Sequence, residues 1–227
     1  MPKFKAVIVD LDGTLIEFKL NYMLIRAEAM NLLIRKGLPS NLFSVRDTMF
    51  EMLTKATTYL SDKGVDEDKI REIYEAIFAL ADPHEMDAVR SANLIPGAEE
   101  ALKSLKNMGL QLGLFTTNGI KATKYALSKF GLDMLFDVVV TRETVQKVKP
   151  DCAQLIAATT PLDVTPEEAV VIGDSTVDII CAKAVRALAV GVLTGLTKLE
   201  DLKRSGADYV IPSISELPAL IRKIQEP

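Results

Sequence analysis

Ala6-Val7-Ile8-Val9-Asp10-Leu11-Asp12-Gly13-Thr14 is an apolar run cut off by two carboxylates, two residues apart, and a glycine. A short continuous apolar run closed by a turn signal reads as a strand buried on both faces. Such strands belong to parallel sheets covered by helices. The rest of the chain agrees from Ile95-Pro96-Gly97 onward. Helical stretches at Ala98–Asn107, Lys121–Phe130, Cys152–Thr159 and Thr176–Ala184 alternate with strand-like runs at Gln111–Thr116, Phe136–Val140, Val170–Gly173 and Leu188–Val192. A last strand near Asp208–Ile211 and a helix near Glu216–Ile224 close the pattern. The expected fold class is α/β, a Rossmann-like parallel sheet with helices on both faces.

Between the first strand and Ile95 the periodicity changes. Tyr22, Ile25, Ala29 and Leu32 form one helical stripe. Phe43, Met49, Met52, Leu53 and Ala56 form a second, closing near Asp62-Lys63-Gly64. Ile70, Ile73, Ile77 and Leu80 form a third, which Asp82-Pro83 is expected to stop, leaving His84 in a loop or at a helix start. The methionines of this stretch (Met23, Met30, Met49, Met52, Met86) read as core, and Asp66-Glu67-Asp68 as a helix N-terminus. The expected domains are an α/β core over residues 1–16 and 94–227, interrupted by a helical cap over residues 17–93.

Composition removes several function classes. Apolar residues make up 48% of the 227 and charged residues 26%, which suits a globular protein and not a disordered one. A net charge of −4 argues against nucleic acid as a partner and gives no polybasic attraction to lipid. No apolar run approaches the ~20 residues of a membrane helix. Met1-Pro2-Lys3-Phe4-Lys5 leads straight into the first strand without a signal-peptide pattern, so a cytoplasmic protein is expected. Cys152 and Cys181 form no CxxC pair and read as reduced, mostly buried thiols. With His84 the only histidine, acid–base work falls to carboxylates or lysines.

Ligands of an open parallel sheet gather at the carboxyl ends of its strands. Asp10 and Asp12 follow the first strand here, and Thr116, Thr117, Asn118 and Gly119 the second. The third leads to Lys147, Lys149 and Pro150, and the fourth to Gly173, Asp174, Ser175 and Asp178. Carboxylates crowded on one edge repel each other unless a cation joins them, and hard oxygen ligands suit Mg²⁺. Hydroxyls, backbone N–H groups and an ammonium suit a phosphate. The combination reads as phosphoryl transfer, with Asp10 as nucleophile and Asp12 as the acid that protonates the leaving oxygen and then activates water. Taken singly, Asp12-Gly13 is an ordinary turn, Thr117 and Asn118 could cap a helix, and Lys149 could be a surface lysine.

The ordered set Asp10-Leu11-Asp12-Gly13-Thr14, Thr117-Asn118, Lys149-Pro150 and Gly173-Asp174-Ser175-Thr176-Val177-Asp178 resembles the four motifs of the haloacid dehalogenase superfamily of phosphohydrolases. The likeness covers essentially the whole chain and is strongest to capped, phosphoglycolate phosphatase-like members. It implies that Asp10, Asp174 and the Asp12 carbonyl hold Mg²⁺, with Asp178 ligating or supporting. It further implies that Thr117 and the Asn118 N–H hold phosphoryl oxygens and that Lys149 neutralises charge. Thr116 and Lys147 compete for the same roles; Thr117 is preferred because Asn118 follows it, and Lys149 because Pro150 does. Caps of the family close over the site and choose the substrate. An Asp at position 12 fits phosphate-ester hydrolysis.

The sequence also departs from the family. Glu17-Phe18 stands where Asp-Ser is usual, and Arg186 stands where Gly is usual, so a different local loop is expected there. The implied function is a Mg²⁺-dependent phosphatase of small phosphorylated metabolites. A phosphomutase of the same fold and a non-catalytic, receiver-like phosphate-binding protein are the alternatives. Neither nucleic acid nor membrane is an expected partner, and a monomer is favoured over an oligomer.

Overall fold

The computed structural model describes residues 4–225. Six strands form one sheet: β1 (Ala6–Val9), β2 (Gln111–Phe115), β3 (Val138–Val140), β4 (Ala169–Gly173), β5 (Leu188–Val192) and β6 (Tyr209–Ile211). Their order is β3-β2-β1-β4-β5-β6, and every pairing is parallel. β1 sits mid-sheet with all four residues buried, which explains why its sequence is an unbroken apolar run. The chain adds β2 and β3 on one side of β1 and then places β4 on the other. That reversal opens a crevice at the carboxyl ends of β1 and β4, where such sheets bind ligands.

The helices α4 (Ala98–Asn107), α5 (Ile120–Lys129), α6 (Ala153–Thr159), α7 (Thr176–Ala184), α8 (Leu199–Arg204) and α9 (Leu217–Gln225) accompany the sheet. Ile8, Phe115, Leu155, Val171, Ile179 and Leu202 belong to one of its buried clusters. α8 lies in a stretch with no expected element. Its single buried residue, Leu202, leaves little periodicity to read.

Three helices are inserted between β1 and β2 and form the cap: α1 (Tyr22–Arg35), α2 (Met49–Asp62) and α3 (Glu67–Ser91). The chain divides into two compact units. One runs over Leu20–Ala88, and the other takes the residues up to Lys19 together with those from Val89. The helical unit has its own core of Ile25, Ala29, Leu33, Met52, Leu53, Ala56, Ile73 and Ile77. Thr48 caps α2 by accepting from the Glu51 N–H at 3.1 Å, while Glu51 returns the bond to the Thr48 N–H at 2.6 Å. Within the sheet unit, the outgoing and returning segments are joined. The Glu17 N–H donates to the Asn93 carbonyl at 2.9 Å, and Asn93 donates from its side chain to the Glu17 carboxylate at 3.0 Å.

Several expectations are corrected. α3 does not stop at Asp82-Pro83 but runs through Pro83 to Ser91. Pro83 removes one N–H from the ladder, yet Ala81, Glu85, Ala88 and Val89 remain buried on either side, so burial carries the helix past it. His84 is therefore inside a helix, with Nε2 2.8 Å from a Glu28 oxygen on α1. In α1 the buried stripe is Ile25, Ala29 and Leu33, whereas Tyr22 is exposed and Leu32 only partly buried. Met49 and Met52 are core, but Met23 is 68% exposed. The loop at Arg186 keeps a left-handed backbone, φ +63°, with arginine occupying the conformation that glycine holds most cheaply. Both cysteines are free thiols, Cys181 buried and Cys152 half-buried; burial pushes the Cys181 thiol up to about 12.

Candidate active site

Each chemical residue sits where a strand runs out. β1 ends at Val9, followed by Asp10, buried to 6% exposure. β4 ends at Gly173, followed by Asp174, also 6% exposed. Asp178 is the third residue of α7 and is 1% exposed, so it is a core carboxylate and not a surface residue of that helix. Glycine at 173 is required by the close approach of this side chain, since a Cβ there would lie 2.3 Å from the Asp178 carboxyl carbon. Asp178 reaches back to the start of its own helix: one oxygen accepts from the Ser175 N–H at 3.1 Å and from its hydroxyl at 2.6 Å.

Ligand atoms of Asp10, Asp174 and Asp178 all lie within 4.8 Å of one another. Lys149 enters this cluster from the loop after β3. Its ammonium donates to Asp10 at 2.5 Å, to Asp178 at 2.7 Å and to the Phe115 carbonyl at 3.2 Å. The sequence alternative, Lys147, is 76% exposed and 4.0 Å from Asp151. Geometry thus places Lys149, and not Lys147, beside the carboxylates.

The electrostatics follow from burial. Desolvation lifts the Asp10 carboxyl from 3.8 to about 6, against the pull of Lys149 and with the push of Asp178. Desolvation, then the Asp10 and Asp178 charges, lift Asp174 to about 8. Burial alone would depress the Lys149 ammonium, but Asp10 and Asp178 reverse this and hold it above the usual lysine range. Three buried carboxylates against one ammonium leave an excess of negative charge. An all-oxygen donor set with that charge can hold a hard divalent cation. Both Asp178 oxygens are already engaged, by Lys149 and by Ser175, whereas Asp10 and Asp174 are less committed.

The loop after β2 completes the edge. Thr116 is buried and turned inward. Its hydroxyl accepts from the Asn118 N–H at 3.1 Å, and its carbonyl accepts from the Gln154 side chain at 2.7 Å. Thr117 is half-buried and makes no hydrogen bond to another described residue, which leaves its hydroxyl available. The Asn118 N–H, expected to meet a phosphoryl oxygen, is directed to Thr116 here. The Asn118 carboxamide donates to the Asp12 carboxylate at 2.6 Å.

Some supporting residues escaped the sequence reading. Gln154 accepts from the Lys149 N–H at 3.2 Å while donating to Thr116, and so ties two loops of the site together. After β5, Thr194 donates to the Gly13 carbonyl at 2.5 Å and the Leu196 N–H points at Asp174 at 3.4 Å. Between them, Gly195 presses its backbone onto the Asp174 side chain. The strand-end rule, applied to the fifth strand as it was to the first four, would have found Thr194-Gly195. Gln154, inside a helix, gives no such signal.

The model of the haloacid dehalogenase-like hydrolase family matches residues 7–192, a span that includes Asp10, Asp12, Thr117, Asn118, Lys149, Asp174 and Asp178. The chain belongs to this family. As a haloacid dehalogenase-like hydrolase it is an enzyme whose relatives are of phosphatase type. It is 28% identical over 221 residues to a phosphoglycolate phosphatase from Nitrosococcus oceani, covering 96% of each chain. It is also 28% identical over 221 residues to pyrophosphatase PpaX from Listeria monocytogenes, covering 97% of each. The crystal structure of a haloacid dehalogenase-like hydrolase from Bacteroides fragilis superimposes with a TM-score of 0.67 at 24% identity, over 95% of this chain and all of that one. Among the described residues no helix is long and apolar enough to cross a membrane.

Proposed function

We propose that the protein is a Mg²⁺-dependent phosphatase of small phosphorylated metabolites, acting through a phosphorylated Asp10. The observation that carries this reading is the Asp10 carboxylate itself: buried, 2.5 Å from the Lys149 ammonium, and clustered with Asp174 and Asp178. The Asp10 oxygen attacks phosphorus, the bond from phosphorus to the ester oxygen breaks, and Asp12 gives that oxygen its proton. Asp12, now a base, takes a proton from the water that cleaves the aspartyl-phosphate and frees Asp10. Thr117 holds a phosphoryl oxygen through its hydroxyl. Lys149 holds Asp10 in line and neutralises charge at the reacting end. Asp10, Asp174 and the Asp12 carbonyl would hold Mg²⁺, with Asp178 fixing Lys149. The metal supplies neutralisation of the phosphoryl charge when bound.

The chemistry named for the relatives selects the first substrates to try, phosphoglycolate and inorganic pyrophosphate. The test is phosphate release from p-nitrophenyl phosphate with and without Mg²⁺, followed by a panel of these two with sugar phosphates. Metal-dependent release supports the reading. Isomerisation of a sugar phosphate without phosphate release would replace it with a phosphomutase, and stable phosphorylation without turnover with a receiver-like protein.

A further inference from the structure

We infer that Asn118 is a positioning residue for Asp12, holding its carboxylate at the angle from which it can protonate a leaving group. This rests on the phosphatase reading above and adds to it a part for the side chain of a residue from which only the backbone N–H was expected to contribute.

The geometry starts with the turn that bears Asp12. Gly13 follows it at φ +78°, and Asp12 is only half-buried. A carboxylate on a turn needs a partner to fix its direction. Asn118 is suited to be one because it cannot itself move. It is 4% exposed, its N–H is committed to Thr116 and its carbonyl accepts from the Arg142 N–H at 3.3 Å.

The supports behind it are equally fixed. Gln154 holds the Thr116 carbonyl at 2.7 Å. The fully buried Arg142 guanidinium fills the space beside Gly119, where a Cβ would meet it at 2.6 Å. Glu143 accepts from the Ile120 N–H at 3.1 Å and so occupies the first turn of α5. The backbone of the loop is thereby pinned from both sides, and the carboxamide is aimed by it.

The side-chain chemistry decides which end of that carboxamide faces Asp12. In the half of the cycle where Asp12 acts as base it is ionised and only accepts, so the amide nitrogen points at it, as the 2.6 Å contact has it. A donor at that distance sets the angle of the acid without competing for the proton it will deliver. Misplacing a reacting group by about 1 Å costs about 10²-fold, and general acid catalysis contributes about 10²–10⁴-fold. Asn118 controls how much of that factor Asp12 can deliver.

The experiment compares kcat/KM for two aryl esters in the Mg²⁺-loaded enzyme. Phenyl phosphate releases a weakly acidic phenol and needs the proton. 2,4-Dinitrophenyl phosphate releases a stable phenolate and does not. Asn118→Ala should lower kcat/KM for phenyl phosphate by about tenfold or more, and by a clearly smaller factor for the dinitrophenyl ester. Asn118→Asp, isosteric but with a like charge in place of the donor, should widen that gap. In an Asp12→Asn background, Asn118→Ala should add no further selective loss on phenyl phosphate, because the residue it serves is gone.

Equal losses on both esters would overturn the inference and leave the phosphatase reading standing, as would a selective loss that persists without Asp12. If the wild type hydrolyses neither ester, both fall. Thermal melts and Mg²⁺ titration of each variant identify a misfolded one. If Asn118→Ala proves unfolded, the comparison passes to Asn118→Asp, where the same two results decide.

Discussion

Gly195→Ala tests whether the loop after β5 sets the position of Asp174. A Cβ at residue 195 would stand 1.7 Å from one Asp174 oxygen, 2.3 Å from its carboxyl carbon and 2.5 Å from its Cβ. Because the Asp174 Cβ is itself overlapped, rotating the carboxylate aside does not relieve the clash. Even with the carboxylate rotated aside, the loop and the Asp174 Cβ must separate by about 0.5 Å, from 2.5 Å, merely to reach the 3.0 Å below which real Cβ contacts essentially do not occur. Overpacking of this kind costs about 1–3 kcal/mol of stability. The larger consequence falls on metal binding. Disturbing what orients a metal ligand costs about 10–100-fold in affinity. At a Mg²⁺ concentration of 100 times the wild-type Kd, the wild type gains about 2.7 kcal/mol from the ion, whereas a variant weakened 100-fold gains about 0.4 kcal/mol. Denaturant melts of both proteins, with and without Mg²⁺ at that concentration, read the difference, and calorimetric titration gives the two Kd values. A variant that binds Mg²⁺ as tightly as the wild type and keeps its kcat/KM would refute the reasoning.

Lys149→Met should abolish turnover and destabilise the metal-free protein by about 3–5 kcal/mol, since it strands Asp10 and Asp178 without their shared cation; urea melts should show part of that loss recovered on adding Mg²⁺. The metal-free protein should become less stable as pH rises. The folded state keeps protons on Asp174 up to about 8 and on Asp10 up to about 6, both above the ordinary 3.8, so between about pH 4 and 8 it binds more protons than the unfolded chain and loses that advantage as they leave. Mg²⁺ competes with those protons, so the Tm increment it gives should grow from pH 6 to pH 8; a constant increment would remove Asp174 from the site. Arg186→Gly should stabilise the protein by about 0.5–1 kcal/mol, the left-handed strain less the added chain entropy, seen as a Tm higher by about 1–4 °C.

What the sequence made legible divides along physical lines. β1 could be read because a strand buried on both faces must be apolar without interruption, and Ala6–Val9 is. α4 could be bounded to the residue because Gly97, at φ +79°, and Met108-Gly109 punctuate an amphipathic run. The cap's third helix was cut short because proline is a local signal, while the burial that carries α3 past Pro83 comes from other parts of the fold. At the site, the motif carboxylates could be named from spacing and strand ends. The preference for Lys149 over Lys147 rested only on the Pro150 that follows it, since spacing alone does not show where the loop turns either lysine. The exchange at Thr116 is of the same kind: its hydroxyl takes the Asn118 N–H, a pairing that no spacing reveals. Gln154 is the extreme case, a buried polar residue on a helix whose two partners, Thr116 and Lys149, lie on other segments. Residues that react announce themselves by type and order, whereas those that hold them in place are known only from their contacts.

The claim on which the account turns is that Asp10 is phosphorylated during turnover. The most direct measurement is to quench the enzyme with acid while it hydrolyses p-nitrophenyl phosphate in Mg²⁺, reduce it with borohydride, and read the peptide containing residue 10 by mass spectrometry. An aspartyl-phosphate reduces to homoserine, so the account predicts homoserine at position 10 in the wild type, none without substrate, and no turnover in Asp10→Asn. Steady phosphate release with residue 10 unmodified, or undiminished turnover in Asp10→Asn, would contradict it.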